Sequence, residues 1–299
     1  MASCFDRPYV DIPVGDRTEA NRAAAIAAAT FGLPAPNLLR VGMNALYRCG
    51  DVVLRVGRPS ADPNLALELA NRLLEIGIPV VSPARKSACV VGPLTATAWH
   101  FVEPVDRPVD WAAVGAIVRR LHGLDRRQLP GAYPIPSPAT FPWWDFDRLL
   151  AETSELLDER ALAGLADAVE RNAGWSMFGG VVICHGDVHP GNVLMTVDGP
   201  LLLDWDLMCF APAGWDHAML LTLAERWGGD PTVYPSFAKG YGRSLVGEPT
   251  TQRLAELRNV AATLMRVRAG RSDNDARDEA NRRLMYWRGE PDPPAWRAQ

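Results

Sequence analysis

Apolar positions in the first hundred residues switch between two spacings. Glu19 to Phe31 is Ala-rich and reads as a helix, stopped by Gly32 and Pro34. In NLLRVGMNALYRCGDVVLRV, residues 37–56, apolar residues alternate, with Gly42 and Gly50-Asp51 as turn points. That period predicts strands of an antiparallel sheet. Asp62-Pro63 then offers an N-cap and a first-turn proline. Leu65, Leu69, Leu73 and Ile76 fall on one face of the helix that follows, and Gly77 ends it. VVSPARKSACVVG and LTATAWHFVEP predict two more strands.

From Pro104 the pattern changes. Asp110 caps a helix with Trp111, Val114, Val118 and Leu121 on one side, and a Pro-rich loop, LPGAYPIPSPATFPWW, follows. Helices then run on, interrupted around His185 and closing with segments near 215–227, 253–268 and 275–287. The expected fold class is α+β and bilobal: a small antiparallel-sheet lobe over residues 1–103, a larger mostly helical lobe over 104–299, and a cleft between them.

Charge divides at the same place. Residues 1–103 hold 10 basic and 9 acidic side chains and the remainder 21 and 26, which leaves the second part net acidic within a total of −4. Such a balance gives no global attraction for nucleic acid or an anionic membrane. Five scattered cysteines without C-x-x-C spacing argue against a disulfide framework or zinc ribbon and fit a reducing compartment. Acids stand where a signal peptide needs an apolar core, and no apolar run approaches membrane-spanning length, so a cytoplasmic, soluble protein is expected.

The candidate chemistry lies in HGDVHPGN, His185 to Asn192, set between apolar VVIC and VLM. His185 and His189 have i, i+4 spacing beside Cys184, but Pro190-Gly191 denies the helix that would align both rings on zinc. A mere turn explains the glycines and proline, and not what comes next. Folding the hairpin 193–203 symmetrically about Asp198 places Asn192 opposite Asp204, with Asp187 able to reach the same spot. Hard oxygen donors beside a further carboxylate suit Mg²⁺, and phosphoryl transfer is the chemistry that needs them. The D-x-x-x-x-N spacing from Asp187 to Asn192 is that of the protein-kinase catalytic loop.

HGDVHPGN followed by LLLDWD closely resembles the aminoglycoside phosphotransferase family, small-molecule kinases that share the protein-kinase fold. The resemblance extends over most of the chain and is most specific from about 181 to 220. It implies that Asp187 is the catalytic base, that Asn192 and Asp204 bind magnesium, and that His185 and Asp216 support the loop. It implies ATP, or GTP, as donor, with adenine against the backbone of Phe101, Val102 and Glu103. It further implies a strand cation, Arg55, paired with a helix carboxylate, Glu68. Arg72, one turn later, is Glu68's alternative partner. The turn VGMN resembles the family's reduced glycine turn, so Gly42 and Asn44 either cover phosphate or form an ordinary hairpin turn.

No G-x-x-x-x-G-K-[ST] occurs, which excludes a P-loop NTPase. D-W-D in place of D-F-G argues against a flipping activation segment. The acceptor side is less legible. Trp143 and Trp144 either wall a substrate pocket or anchor their loop on the core. Asp206 is a candidate contact for a cationic substrate. Asp273, Asp275, Asp278 and Glu279 either serve likewise or form a solvated helix face. The expected acceptor is a hydroxylated small molecule, an aminoglycoside-like antibiotic or amino sugar first, with a choline-like alcohol, a sugar or a macrolide as alternatives. A non-catalytic pseudokinase and a protein kinase are the rival readings.

Overall fold

The structure is a computed structural model that describes residues 14–59, 61–177 and 179–297. The chain forms two compact units, neither contiguous in sequence. Unit 1 runs to Asp110 and adds Gly123–Pro136 and Pro190–Met208; unit 2 is Trp111–His122, Ser137–His189 and Cys209 onward. The division is therefore not one cut at residue 103. The start of the Pro-rich segment, to Pro136, and the stretch Pro190–Met208 belong to the first unit.

In unit 1 the helix α1 (Arg17–Phe31) opens on Asp16, whose side chain accepts from Thr18 N, and ends on left-handed Gly32. Strands β1 (Asn37–Val41), β2 (Ala45–Cys49), β3 (Val52–Gly57), β4 (Cys89–Val91) and β5 (Leu94–His100) form an antiparallel sheet in the order β1-β2-β3-β5-β4. Alternation decides its two faces. Tyr47, Leu54 and Val56 pack with the alanines of α1, whose small side chains let helix and sheet approach closely. Val53 and Arg55 point the other way. Helix α2 (Pro63–Glu75) starts as expected, with Asp62 capping it. Its buried residues are Leu67, Leu69, Ala70 and Leu73, so Leu65 sits at the margin and Glu68 is exposed.

A hairpin of β7 (Val193–Thr196) and β8 (Gly199–Leu202) completes unit 1. Its turn is the two residues Val197-Asp198, closed by Thr196, whose hydroxyl donates to Gly199 O at 2.9 Å and accepts from Asp198 N at 3.1 Å. Val193 pairs with Leu202. Asn192 therefore stands opposite Leu203, whose N–H donates to its carbonyl at 2.9 Å, and not opposite Asp204. The symmetric fold about Asp198 was off by one position.

Unit 2 contains α3 (Trp111–His122), α4 (Phe146–Thr153), α5 (Glu159–Arg171), α6 (Gly214–Trp227), α7 (Val233–Tyr241), α8 (Pro249–Ala269) and α9 (Asn274–Trp287). A short antiparallel pair, β6 (Val181–Cys184) and β9 (Cys209–Pro212), runs with Cys184 beside Cys209. Helices α3 and α7 cross at two glycines. A Cβ on Gly115 would stand 2.0 Å from Phe237 O, and one on Gly240 1.7 Å from Ala112 O. Only bare backbone allows that approach, and it brings the end of α3 to Tyr241. No helix among the described residues is long and apolar enough to cross a membrane.

Candidate active site

The loop leaving β6 is held by a single buried carboxylate. Asp216, in the first turn of α6, is 1% exposed. Its Oδ2 accepts from His185 N at 2.8 Å and its Oδ1 from Gly186 N at 2.8 Å. His122 Nε2 lies 3.0 Å from Oδ2, and His122 Nδ1 lies 3.0 Å from the Tyr241 hydroxyl. Burial alone would raise the Asp216 pKa; the hydrogen bond and charge of His122 outweigh it and hold the group ionised. Asp216 braces the loop and does not cap α6, which has no side-chain cap. Gly186, at φ +95°, turns the chain here, and its carbonyl accepts from Trp215 Nε1 at 3.1 Å and Arg258 Nη1 at 3.3 Å.

The loop presents Asp187. His189 Nε2 is 3.3 Å from its Oδ2, and Arg258 Nη2 donates to its Oδ1. Desolvation opposes ionisation, yet the His189 hydrogen bond and the Arg258 charge hold the carboxyl well below the usual carboxylate range. His185 is fully buried, and its Nδ1 accepts from Asp187 N at 3.3 Å. Both histidines thus contact one aspartate. The group among the described residues with metal-ligand spacing is His122, Cys184 and Asp216. It is this same brace: the Cys184 thiol is pushed up by burial and lies 3.6 Å from Ala211 O.

In unit 1 a cavity of about 510 Å³ opens on the sheet face opposite α1. Gly42, Asn44, Arg55, Phe101 and Val102 line it, as do Asn192, Asp204 and Asp206; Glu103 is exposed and does not. Asn44 Oδ1 occupies the place a Cβ on Gly57 would take, at 2.0 Å, so that turn is packed onto β3. Phe101 N–H is spent on Asp51 O at 2.8 Å, and the Phe101 ring lies under the Arg48 guanidinium at 3.7 Å.

Asp204 has φ +61°, one of two non-glycine residues with positive φ among those described. Extended backbone would send residues 203 and 204 to opposite faces. The left-handed step breaks that alternation, and the Asp204 carboxylate faces the same cavity as Asn192 despite the shifted register.

Arg55 meets different partners from the one expected. Its Nη1 donates to Asp206 Oδ1 at 3.3 Å, and its Nη2 donates to Asp206 Oδ2 and, at 3.4 Å, to Asp204 Oδ1. Desolvation would lower the Arg55 pKa, but these two carboxylates more than offset it. Among the described residues no ion pair joins Glu68 to Arg55 or Arg72; Arg72 bonds Glu75 at 2.9 Å and Gln128 O. Asp206 is consequently bound to Arg55.

Trp144 is 4% exposed and packs against Trp215, Trp175 and Phe146. Trp143 stacks on Phe141 at 4.7 Å. Both pack on aromatic and apolar side chains of the core. Glu279 is not on a solvated face either: it is buried against Arg283 and accepts from Arg297 N at 2.8 Å. Asp273 caps α9.

The sequence reading passed over Arg258, His122 and Tyr133. Each left a signal. Arg258 falls on the stripe of α8 that contains Leu254, Leu257 and Ala261, and His122 continues the Val114–Val118 stripe of α3. A charged or polar group on an apolar face needs a partner. Tyr133 lay in a loop without periodicity and gave none.

A profile of the APH phosphotransferase enzyme family matches residues 44–257, and the chain belongs to that family. No curated protein sequence matches it. Among solved structures it is similar to spectinomycin phosphotransferase APH(9)-Ia with ADP and spectinomycin, at 17% identity over 85% of this chain and 89% of that one, TM-score 0.63. A choline/ethanolamine kinase family protein from Mesorhizobium loti has 18% identity over 91% and 94%, TM-score 0.62. Amicoumacin kinase hAmiN, with AMP-PNP, Ca²⁺ and Ami, has 13% identity over 85% and 88%, TM-score 0.63. At these identities the likeness is one of fold.

Proposed function

We propose that the protein moves the γ-phosphoryl group of ATP, with Mg²⁺, onto a hydroxyl of a small molecule. The observation that supports this most is Asp187, a carboxylate kept ionised by His189 and Arg258 on a loop whose backbone is tied to Asp216. Phosphoryl transfer asks a protein mainly to position the reactants and neutralise phosphate charge. Asn192 and Asp204 line one cavity with oxygen donors, the donor chemistry Mg²⁺ prefers, and would hold the ion. The ion supplies neutralisation of phosphate oxygens when bound. Arg55 adds a planar fork suited to two such oxygens. Asp187 orients the acceptor hydroxyl. With its pKa held low it is a weak base, so its Oδ takes the proton only as the bond to phosphorus forms.

The nucleotide and divalent cation bound by the amicoumacin kinase, and the ADP bound by the spectinomycin phosphotransferase, favour this donor. The acceptor we expect is an aminoglycoside-like antibiotic or amino sugar, phosphorylated in the cytoplasm, where ATP is available. An ATP-consumption screen against aminoglycosides, amino sugars, choline-like alcohols and macrolides tests the class. Asp187→Ala is expected to lower turnover by about 10²–10⁴-fold with nucleotide binding nearly intact, and Asp204→Ala to weaken binding of the metal–nucleotide. Wild-type turnover by the Asp187 variant refutes the assignment.

A further inference from the structure

In Arg55 and Asp206 two parallel contacts join one planar guanidinium to one carboxylate, which fixes the plane of the cation as well as its place. The carboxylate is itself held. Asp206 sits in the short 3-10 turn Trp205–Leu207. The carbonyl of Trp205 accepts from the Tyr133 hydroxyl at 3.2 Å, and Trp205 Nε1 donates to Leu202 O at 3.1 Å. Tyr133 is buried. Its loop is gathered by Arg126, which donates to the carbonyls of Pro130 at 2.9 Å, Gly131 at 2.8 Å and Tyr133 at 2.8 Å. Glu68 stands exposed on α2.

We propose that Asp206 is the positioning residue for Arg55, and that Tyr133 and Arg126 set the turn that carries it. The phosphate grip then does not depend on a carboxylate from α2. It is organised by the segment that also bears Asp204. Arg55 Nη2 also reaches Asp204, at 3.4 Å, a single contact beside the two-pronged one to Asp206, and would leave Asp204 able to hold a metal without loss of the Asp206 pairing. The proposal rests on reading the unit 1 cavity as the nucleotide site.

The sign of one substitution separates positioning from plain electrostatics. Removing a negative charge beside bound phosphates tightens their binding if charge is all that matters. Removing a positioning carboxylate weakens it. We expect Asp206→Asn to weaken Mg²⁺–ADP binding by about tenfold in calorimetry, Asp206→Glu to restore most of it, and Glu68→Gln to stay within about twofold. Phenylglyoxal should also label Arg55 faster in Asp206→Asn than in wild type or Glu68→Gln, read by peptide mass spectrometry. Equal or tighter ADP binding by Asp206→Asn, or equal weakening by Glu68→Gln, overturns the positioning role. Failure of the wild type to bind ADP overturns the nucleotide reading instead, and the labelling comparison, which needs no nucleotide, still decides whether Asp206 holds Arg55.

Discussion

Arg258 of α8 donates to the Asp187 carboxylate and, at 3.3 Å, to the carbonyl of the preceding Gly186. One side chain thereby fixes both the charge state of the carboxylate and the backbone that presents it. An arginine this close is a strong constraint, because the carboxylate is mostly shielded from water.

Replacing Arg258 by Gln should therefore act on catalysis through Asp187. Losing an adjacent opposite charge raises a carboxyl pKa. The sign follows directly. With Arg258 present Asp187 stays ionised far into acid, whereas without it protonation begins nearer neutrality. The acidic limb of the kcat/KM profile should move upward, with nucleotide binding unchanged. An acidic limb identical to that of wild type contradicts the coupling.

The glycine crossing of α3 and α7 makes a stability prediction. Gly240→Ala drives a methyl group against the Ala112 carbonyl, and backbone has no rotamer to give. Overpacking of this kind costs about 1–3 kcal/mol. It also separates Tyr241 from His122, so the brace on Asp216 loosens. Gly131→Ala meets nothing within 4 Å and serves as the control, expected within about 0.5 kcal/mol of wild type. Urea unfolding midpoints compare the two.

His217 gives the fold an acid sensitivity. Burial pushes its pKa down to about 4, from 6.5. The neutral ring is the folded form, so its full contribution is present above pH 6.5 and is lost as pH falls toward 4. A shift of that size corresponds to a loss on the order of 3 kcal/mol. The melting temperature should fall across this window in wild type and fall less in His217→Gln. Parallel curves would show that other groups govern acid unfolding.

Much of this was legible from the chain alone because it depends on short-range rules. Alternation from 37 to 56 fixed which side chains of β3 share a face, and so set Arg55 apart from Leu54. The Asp62-Pro63 start of α2 and the stripe Trp111, Val114, Val118 and Leu121 of α3 followed from capping and from the 3.6-residue period. Asp187, Asn192 and Asp204 were singled out because polar groups interrupting buried strands need a reason, and Asp216 by the family resemblance.

What the sequence could determine by itself, then, was residue type and local period: which elements form, and which polar side chains are out of place. Pairings between distant elements were decided only in the folded chain. Arg55 finds Asp206, 151 positions away, and Asp187 finds Arg258, 71 away. The family resemblance favoured Glu68 as a partner, but a guanidinium is satisfied by whichever carboxylate the packed backbone brings within reach. The hairpin taught the same lesson on a smaller scale. A two-residue turn shifted the register by one, and a single left-handed residue at Asp204 returned its carboxylate to the cavity. Periodicity carries no information about either event, since both are set by backbone geometry and not by polarity.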